Sequence, residues 1–94
     1  MDRSNQVVWK FPLGLQDSQA VQMPVGADVL TAQVQGETLC LWTLCDREEA
    51  VYETRTFAIH GTGHPVYAAP LKYIGTVQLG GGTLVLHVFE IDTR

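Results

Sequence analysis

A chain of 94 residues that is 46% hydrophobic and 17% charged reads as one small folded domain and not as a disordered tail. A formal charge of −4, with the six basic residues scattered, argues against a general nucleic-acid binder, which needs clustered Lys and Arg. The opening MDRSNQVVWKF has no apolar run behind its charge, and no segment approaches the roughly 20 apolar residues of a membrane helix. The expectation is a cytoplasmic protein with no membrane partner.

Seven short apolar runs follow in chain order: QVVWKF (6–11), QAVQM (19–23), DVLTAQVQ (28–35), TLCLWTLC (38–45), VYETRTFAIH (51–60), LKYIGTVQL (71–79) and TLVLHVFEI (83–91). They are rich in β-branched and aromatic residues, and turn-forming clusters separate them: PLGLQD, MPVGAD, QGET, CDREEA, HGTGHPVYAAP and GGG. Gly36 and the run Gly80–Gly82 predict tight hairpins. CDREEAVYETR holds helix formers but no apolar stripe at helical spacing, so no helix is expected. The reading is a single all-β domain over 1–94, a small antiparallel sandwich or barrel of about seven short strands.

Strand alternation assigns faces. Leu30, Ala32 and Val34 are expected on one face of their strand, and Val51, Arg55, Phe57 and Ile59 share a parity. The runs 38–45 and 83–91 are apolar on both faces and need two covers. In a chain this short the second cover is another sheet or another subunit, which predicts a homo-oligomer. Trp9, Phe11 and Trp42 read as core or interface anchors, while Tyr67 and Tyr73 could stack on a ligand or pack in the core. Cys40 and Cys45 are five apart in one strand, on opposite faces and about 17 Å apart along it. They can neither bridge nor share a metal, so buried thiols in a reducing compartment are expected.

Eight of the ten acids lie at or before Glu53, and none falls between Thr54 and Phe89. That segment also holds all three histidines, Arg55 and Lys72, which makes it the part most hospitable to an anion. Buried strands with few charges would produce the same pattern. Within it, HGTGHP (60–65) is the candidate site. As a metal site it supplies His60 and His64 but needs a third ligand, for which His87 is the one obvious donor. As a nucleophilic site it lacks an exposed thiol beside a ring, and no GxSxG is present. As a phosphate loop it lacks the terminal lysine and the following helix. What remains is either a plain turn fixed by glycine and Pro65, or a concavity of backbone N–H groups that holds a small anion. The candidate ligand-binding residues are His60, Gly61, Thr62, Gly63 and His64, with Arg55 and Lys72 supplying charge. No metal and no cofactor is expected.

Four segments in order, VVWKFPL, LCLWTLCD, TRTFAIHGTGHPV and YIGTVQLGGGTLVLHVFE, resemble an uncharacterised family of small bacteriophage and prophage proteins over roughly residues 7 to 90. The resemblance implies a phage source and a bacterial cytoplasm, and it carries no catalytic residue. Small phage proteins outside the virion machinery often bind a host component, which is an inference by analogy. The leading expectation is therefore a non-enzymatic binding module that captures a small anionic ligand or blocks a host protein. The alternative is a phage structural or assembly protein acting through oligomer contacts. An enzyme would require His60, His64 and His87 to converge.

Overall fold

The computed structural model describes residues 5–66 and 71–91, with the backbone but not the side chain of Leu71. Seven strands run in order: β1 (Gln6–Leu13), β2 (Ser18–Pro24), β3 (Asp28–Gln35), β4 (Thr38–Asp46), β5 (Tyr52–Gly61), β6 (Leu71–Leu79) and β7 (Leu84–Ile91). They form a three-stranded sheet, β1-β4-β3, and a four-stranded sheet, β2-β5-β7-β6, with every pairing antiparallel. The sheets stay separate and do not close into a barrel. The all-β expectation holds, and the choice between barrel and sandwich falls to two layers.

The core lies between the layers. Leu13, Val29, Ala32, Leu39, Leu41 and Cys45 come from one sheet; Met23, Phe57, Ile59, Val77, Leu86 and Val88 come from the other. These residues alternate with outward neighbours, as period-two pleating requires. Pro12 and Pro24 sit where a missing N–H is tolerated, in β1 and β2, each an edge strand of its sheet. For that reason β1 continues through Pro12 and Leu13, where the sequence suggests a turn.

Both expected hairpins form. Gln35 pairs with Thr38 across Gly36-Glu37, and Leu79 pairs with Leu84 across the glycine run. Gly80, Gly81 and Gly82 all have positive φ (59°, 69° and 94°), which three consecutive residues with side chains would not adopt.

Two β-bulges change which residues share a face. In β3 the register steps from Val29↔Thr43 to Thr31↔Trp42, leaving Leu30 as the extra residue. Leu30 is 50% exposed, and Val29, not Leu30, joins Ala32 and Val34 on the inner side. The expected grouping of Leu30 with Ala32 fails because alternation assumes an unbroken pleat. In β6 the register steps from Tyr73↔Phe89 to Gly75↔Val88, with Ile74 as the extra residue, packed against the core. The two sheets approach each other at β3 and β6, just past these bulges. A Cβ at Gly75 would stand 3.4 Å from both N and O of Ala32, so glycine permits this approach.

In β5, Arg55, Phe57 and Ile59 do share the inner side, while Val51 precedes the strand and is exposed. Cys40 and Cys45 are free and buried, on opposite faces of β4. Burial pushes the Cys45 thiol above its ordinary range, and nearby Arg55 opposes that shift. The outer side of β4 carries Cys40, Trp42 and Leu44, flanked by Val8, which is 54% exposed. Among the described residues no third layer covers this side. Tyr67 lies outside the described residues.

Candidate functional site

HGTGHP is a β-turn at the end of β5. The His64 N–H donates to the Gly61 carbonyl at 3.1 Å, which closes the turn around Thr62 and Gly63. Gly63 has φ +85° in the third position, the conformation a type II turn reserves for glycine. Gly61 has no such need. Its hydrogen-only Cα makes room for the His64 ring, since a Cβ there would meet the ring at 3.0 Å.

The turn brings together residues from three strands. β5 pairs with β7, so His60 stands directly opposite His87 on the outer side of the four-stranded sheet. The His87 ring is held at both nitrogens: Nε2 lies 2.7 Å from Thr62 Oγ1 and Nδ1 lies 2.9 Å from Thr76 Oγ1. Thr76 in turn lies 2.6 Å from the Tyr73 hydroxyl. Each hydroxyl has one proton to give. If Tyr73 donates to Thr76, then Thr76 donates to Nδ1, and Nε2–H donates to Thr62. If Thr62 donates to Nε2, every bond reverses and Tyr73 becomes the acceptor. The chain is therefore amphoteric, with two polarities on one heavy-atom frame.

A row of rings lies beside it. His60 and Phe89 meet edge to face with centroids 5.8 Å apart, and Phe89 meets Tyr73 in the same way at 5.6 Å. Thr56, Ala58 and Gln78 extend the face, and a hydrogen bond from Gln22 Nε2 to Thr54 Oγ1 lies at its far end. Among the described residues, no position on this outer face holds Asp, Glu, Lys or Arg.

A pocket of about 220 Å³ opens where β2 begins, beside the last residues of β5. Asp17, Ile59, His60, Gly61, His64 and Pro65 line it. Asp17 is fixed there because its carbonyl accepts from the Ile59 N–H at 3.0 Å. His60 Nε2 is buried and has no hydrogen-bond partner among the described residues. An orphaned nitrogen of this kind costs about 1–3 kcal/mol, and such groups call for an explanation, with a ligand or solvent partner among the ordinary ones.

The sequence expected seven site residues, and the structure gathers five. His60, Gly61, Thr62, Gly63 and His64 share the turn, but Arg55 and Lys72 do not join them. Arg55 lies about 17 Å back along β5 and faces inward. Its Nε and Nη2 donate to the Glu90 carboxylate at 2.7 and 3.0 Å, and Nη1 donates to the Ala27 carbonyl at 2.6 Å. The hydrogen bond to Glu90, foremost, holds the guanidinium above its ordinary range against partial burial. Arg55 is thus a clamp between β5, β7 and the β2–β3 turn, closed to an external anion. Lys72 starts β6 opposite Glu90, three register positions along β7 from His87.

The three histidines do not combine. The His64 ring lies against Gly61 on the side Ile59 faces, while His60 and His87 lie on the other side of the sheet. Among the described residues, no three His, Cys, Asp or Glu side chains are grouped to hold a metal ion. The sequence reading did not bring in Thr76 and Phe89. The acid-free segment signals their neighbourhood, but only the β5–β7–β6 order and the Ile74 bulge place them beside His87. Among the described residues, no helix is long and apolar enough to cross a membrane.

No curated protein and no solved structure gives a significant match to the chain. The model of a domain family of unknown function, DUF7352, matches residues 4–94, and the chain belongs to that family.

Proposed function

We propose that this protein is a non-enzymatic binding module that takes a small ligand at the outer face of β5, β7 and β6 and in the pocket where that face meets the Gly61–His64 turn. The observation that carries the reading is His60, which lines a pocket of about 220 Å³ and whose buried Nε2 has no hydrogen-bond partner among the described residues. Binding suits the site better than catalysis does. Both nitrogens of His87 are engaged by threonine hydroxyls, and no carboxylate or thiol shares its face among the described residues. Support for an anionic ligand is thinner, because Arg55 is closed by Glu90 and Asp17 lines the pocket. The setting we propose is a phage or prophage accessory protein in the bacterial cytoplasm, on the strength of the four ordered segments that resemble that group. A thermal-shift screen with nucleotides, nucleosides, amino acids and neutral sugars tests the module. The expected result is stabilisation by at least one class that is lost in His60→Phe; a flat response across the panel contradicts it.

A second reading, a phage structural or assembly protein built on self-association, draws on a different surface. Val8 and Leu30 are about half exposed on the outer side of the three-stranded sheet, and Trp42 Nε1 in the same sheet is buried without a partner among the described residues. That side would be the contact between copies, or with a host protein.

A further inference from the structure

We infer that the outer face of β5, β7 and β6 recognises a neutral, hydroxyl-bearing ring, that is, a saccharide. The inference rests on the binding-module reading and names its ligand class. Three observations carry it. The first is charge. Among the described residues this face presents no Asp, Glu, Lys or Arg, although the protein as a whole carries a formal charge of −4. A cationic side chain favours a phosphate or carboxylate ligand, and a carboxylate favours an amine. A face with neither selects against both and leaves a neutral ligand whose desolvation is cheap enough for hydroxyls to repay.

The second observation is ring surface. Tyr73 is 57% exposed on the outer side of the sheet, and Phe89 braces it edge to face. The electron-rich face of an aromatic ring attracts weakly positive C–H edges. A pyranose carries such C–H bonds on its faces and its hydroxyls around its rim, so one ligand can use both halves of this surface.

The third is the polarity of the hydrogen-bond chain. Sugar hydroxyls both donate and accept. The chain Thr62–His87–Thr76–Tyr73 reverses direction by moving protons within its own bonds, so its Tyr73 and Thr62 ends offer either a donor or an acceptor. A purely apolar partner would leave the spare hydrogen-bonding capacity of the Tyr73 and Thr62 hydroxyls unused.

The test is a titration of the folded full chain, followed by aromatic and imidazole NMR resonances. The probes are glucose, N-acetylglucosamine and their β-linked tetramers, with adenosine and glucose 6-phosphate as comparison arms. At about 10 mM the neutral sugars are expected to shift the Tyr73, Phe89 and His87 ring signals, the tetramers more strongly than the monomers because they cover more of the face. Tyr73→Ala should weaken the tetramer about tenfold, the equivalent of one lost ring contact. Tyr73→Phe, which keeps the ring, should weaken it less. Shifts produced by adenosine or glucose 6-phosphate but not by neutral sugars overturn the saccharide assignment while leaving the binding module standing. Shifts that appear on concentrating the protein alone assign the face to a second copy and overturn it too. Silence from every arm overturns both readings.

Discussion

Tyr73 and Thr76 are three residues apart in one strand, yet their hydroxyls lie 2.6 Å apart on the same side of the sheet. Regular alternation would put them on opposite sides. The Ile74 bulge inserts one residue between them, packs that residue against the core and so keeps both Tyr73 and Thr76 on the outer face. The local departure from ideal geometry thus builds the hydroxyl–imidazole chain, in keeping with the placement of bulges where a strand must re-aim a side chain.

That chain has a measurable weight. Thr76→Val removes two of its bonds at once, to His87 Nδ1 and to Tyr73. The residues are exposed, so water replaces part of what is lost. The expected loss is about 1 kcal/mol in urea unfolding, with Thr76→Ser close to wild type. If Thr76→Val is neutral, the chain is not held together in solution.

Thr43 gives the opposite sign. It is fully buried in β4 between Trp9 and Val29, and its hydroxyl has no partner among the described residues. Thr43→Val keeps the shape and removes the unpaired group, so stability should rise by about 1 kcal/mol, seen as a higher melting temperature. A fall in the melting temperature would show that the hydroxyl is bonded.

The Arg55–Glu90 pair is the charged clamp of the fold, with both side chains largely buried. Glu90→Gln leaves the guanidinium short of a counter-charge, at an expected cost of about 3 kcal/mol. The apolar double substitution Arg55→Met with Glu90→Leu should recover most of that loss, because both buried charges are removed and only the more exposed Glu53 loses its ion pair with Arg55. A double-mutant cycle in urea gives the coupling; additive single effects would mean that the two residues act independently.

Cys45 predicts a pH dependence. Its thiol is raised in the folded state, chiefly by burial. As pH climbs through the ordinary thiol range, the unfolded chain loses this proton while the folded chain keeps it. The folded state then binds more protons, so stability falls with rising pH until the raised folded value is reached, and it is fully present below the ordinary range. Cys45→Val should flatten that part of the alkaline stability curve. An identical slope in the variant would assign the fall to other groups.

The apolar side of the three-stranded sheet makes a separate prediction. If it joins copies, sedimentation should show an assembly that Val8→Glu dissociates without changing the fold, since one buried charge per copy suffices to open such a contact. A wild-type monomer at high concentration removes the self-association reading.

Much of the architecture is legible in the chain. Seven runs of β-forming residues, each bounded by turn clusters, become the seven strands, and the glycines at 36 and 80–82 become the hairpins because their chemistry is local. What is not legible depends on register. Leu30 and Ile74 carry no mark of a bulge, since a bulge is a mismatch between two strands and one strand alone does not show it. Arg55 looks like a free cation in an acid-free segment, while its partner Glu90 lies 35 positions away on β7. His60 and His87 become neighbours only because β5 pairs with β7 and β6 is placed outside them. The turn residues of the site were readable; the sheet face they complete was not.

The central claim is that His60 keeps an unpaired buried nitrogen for a ligand, and it can be measured without knowing that ligand. His60→Phe preserves the edge-to-face contact with Phe89 and removes the nitrogen. Equilibrium unfolding of the unliganded protein should show the variant more stable than wild type by about 1–2 kcal/mol, the relief of an unmet hydrogen bond. A variant less stable than wild type would show that His60 Nε2 is already satisfied within the fold, and the account of the site would fail.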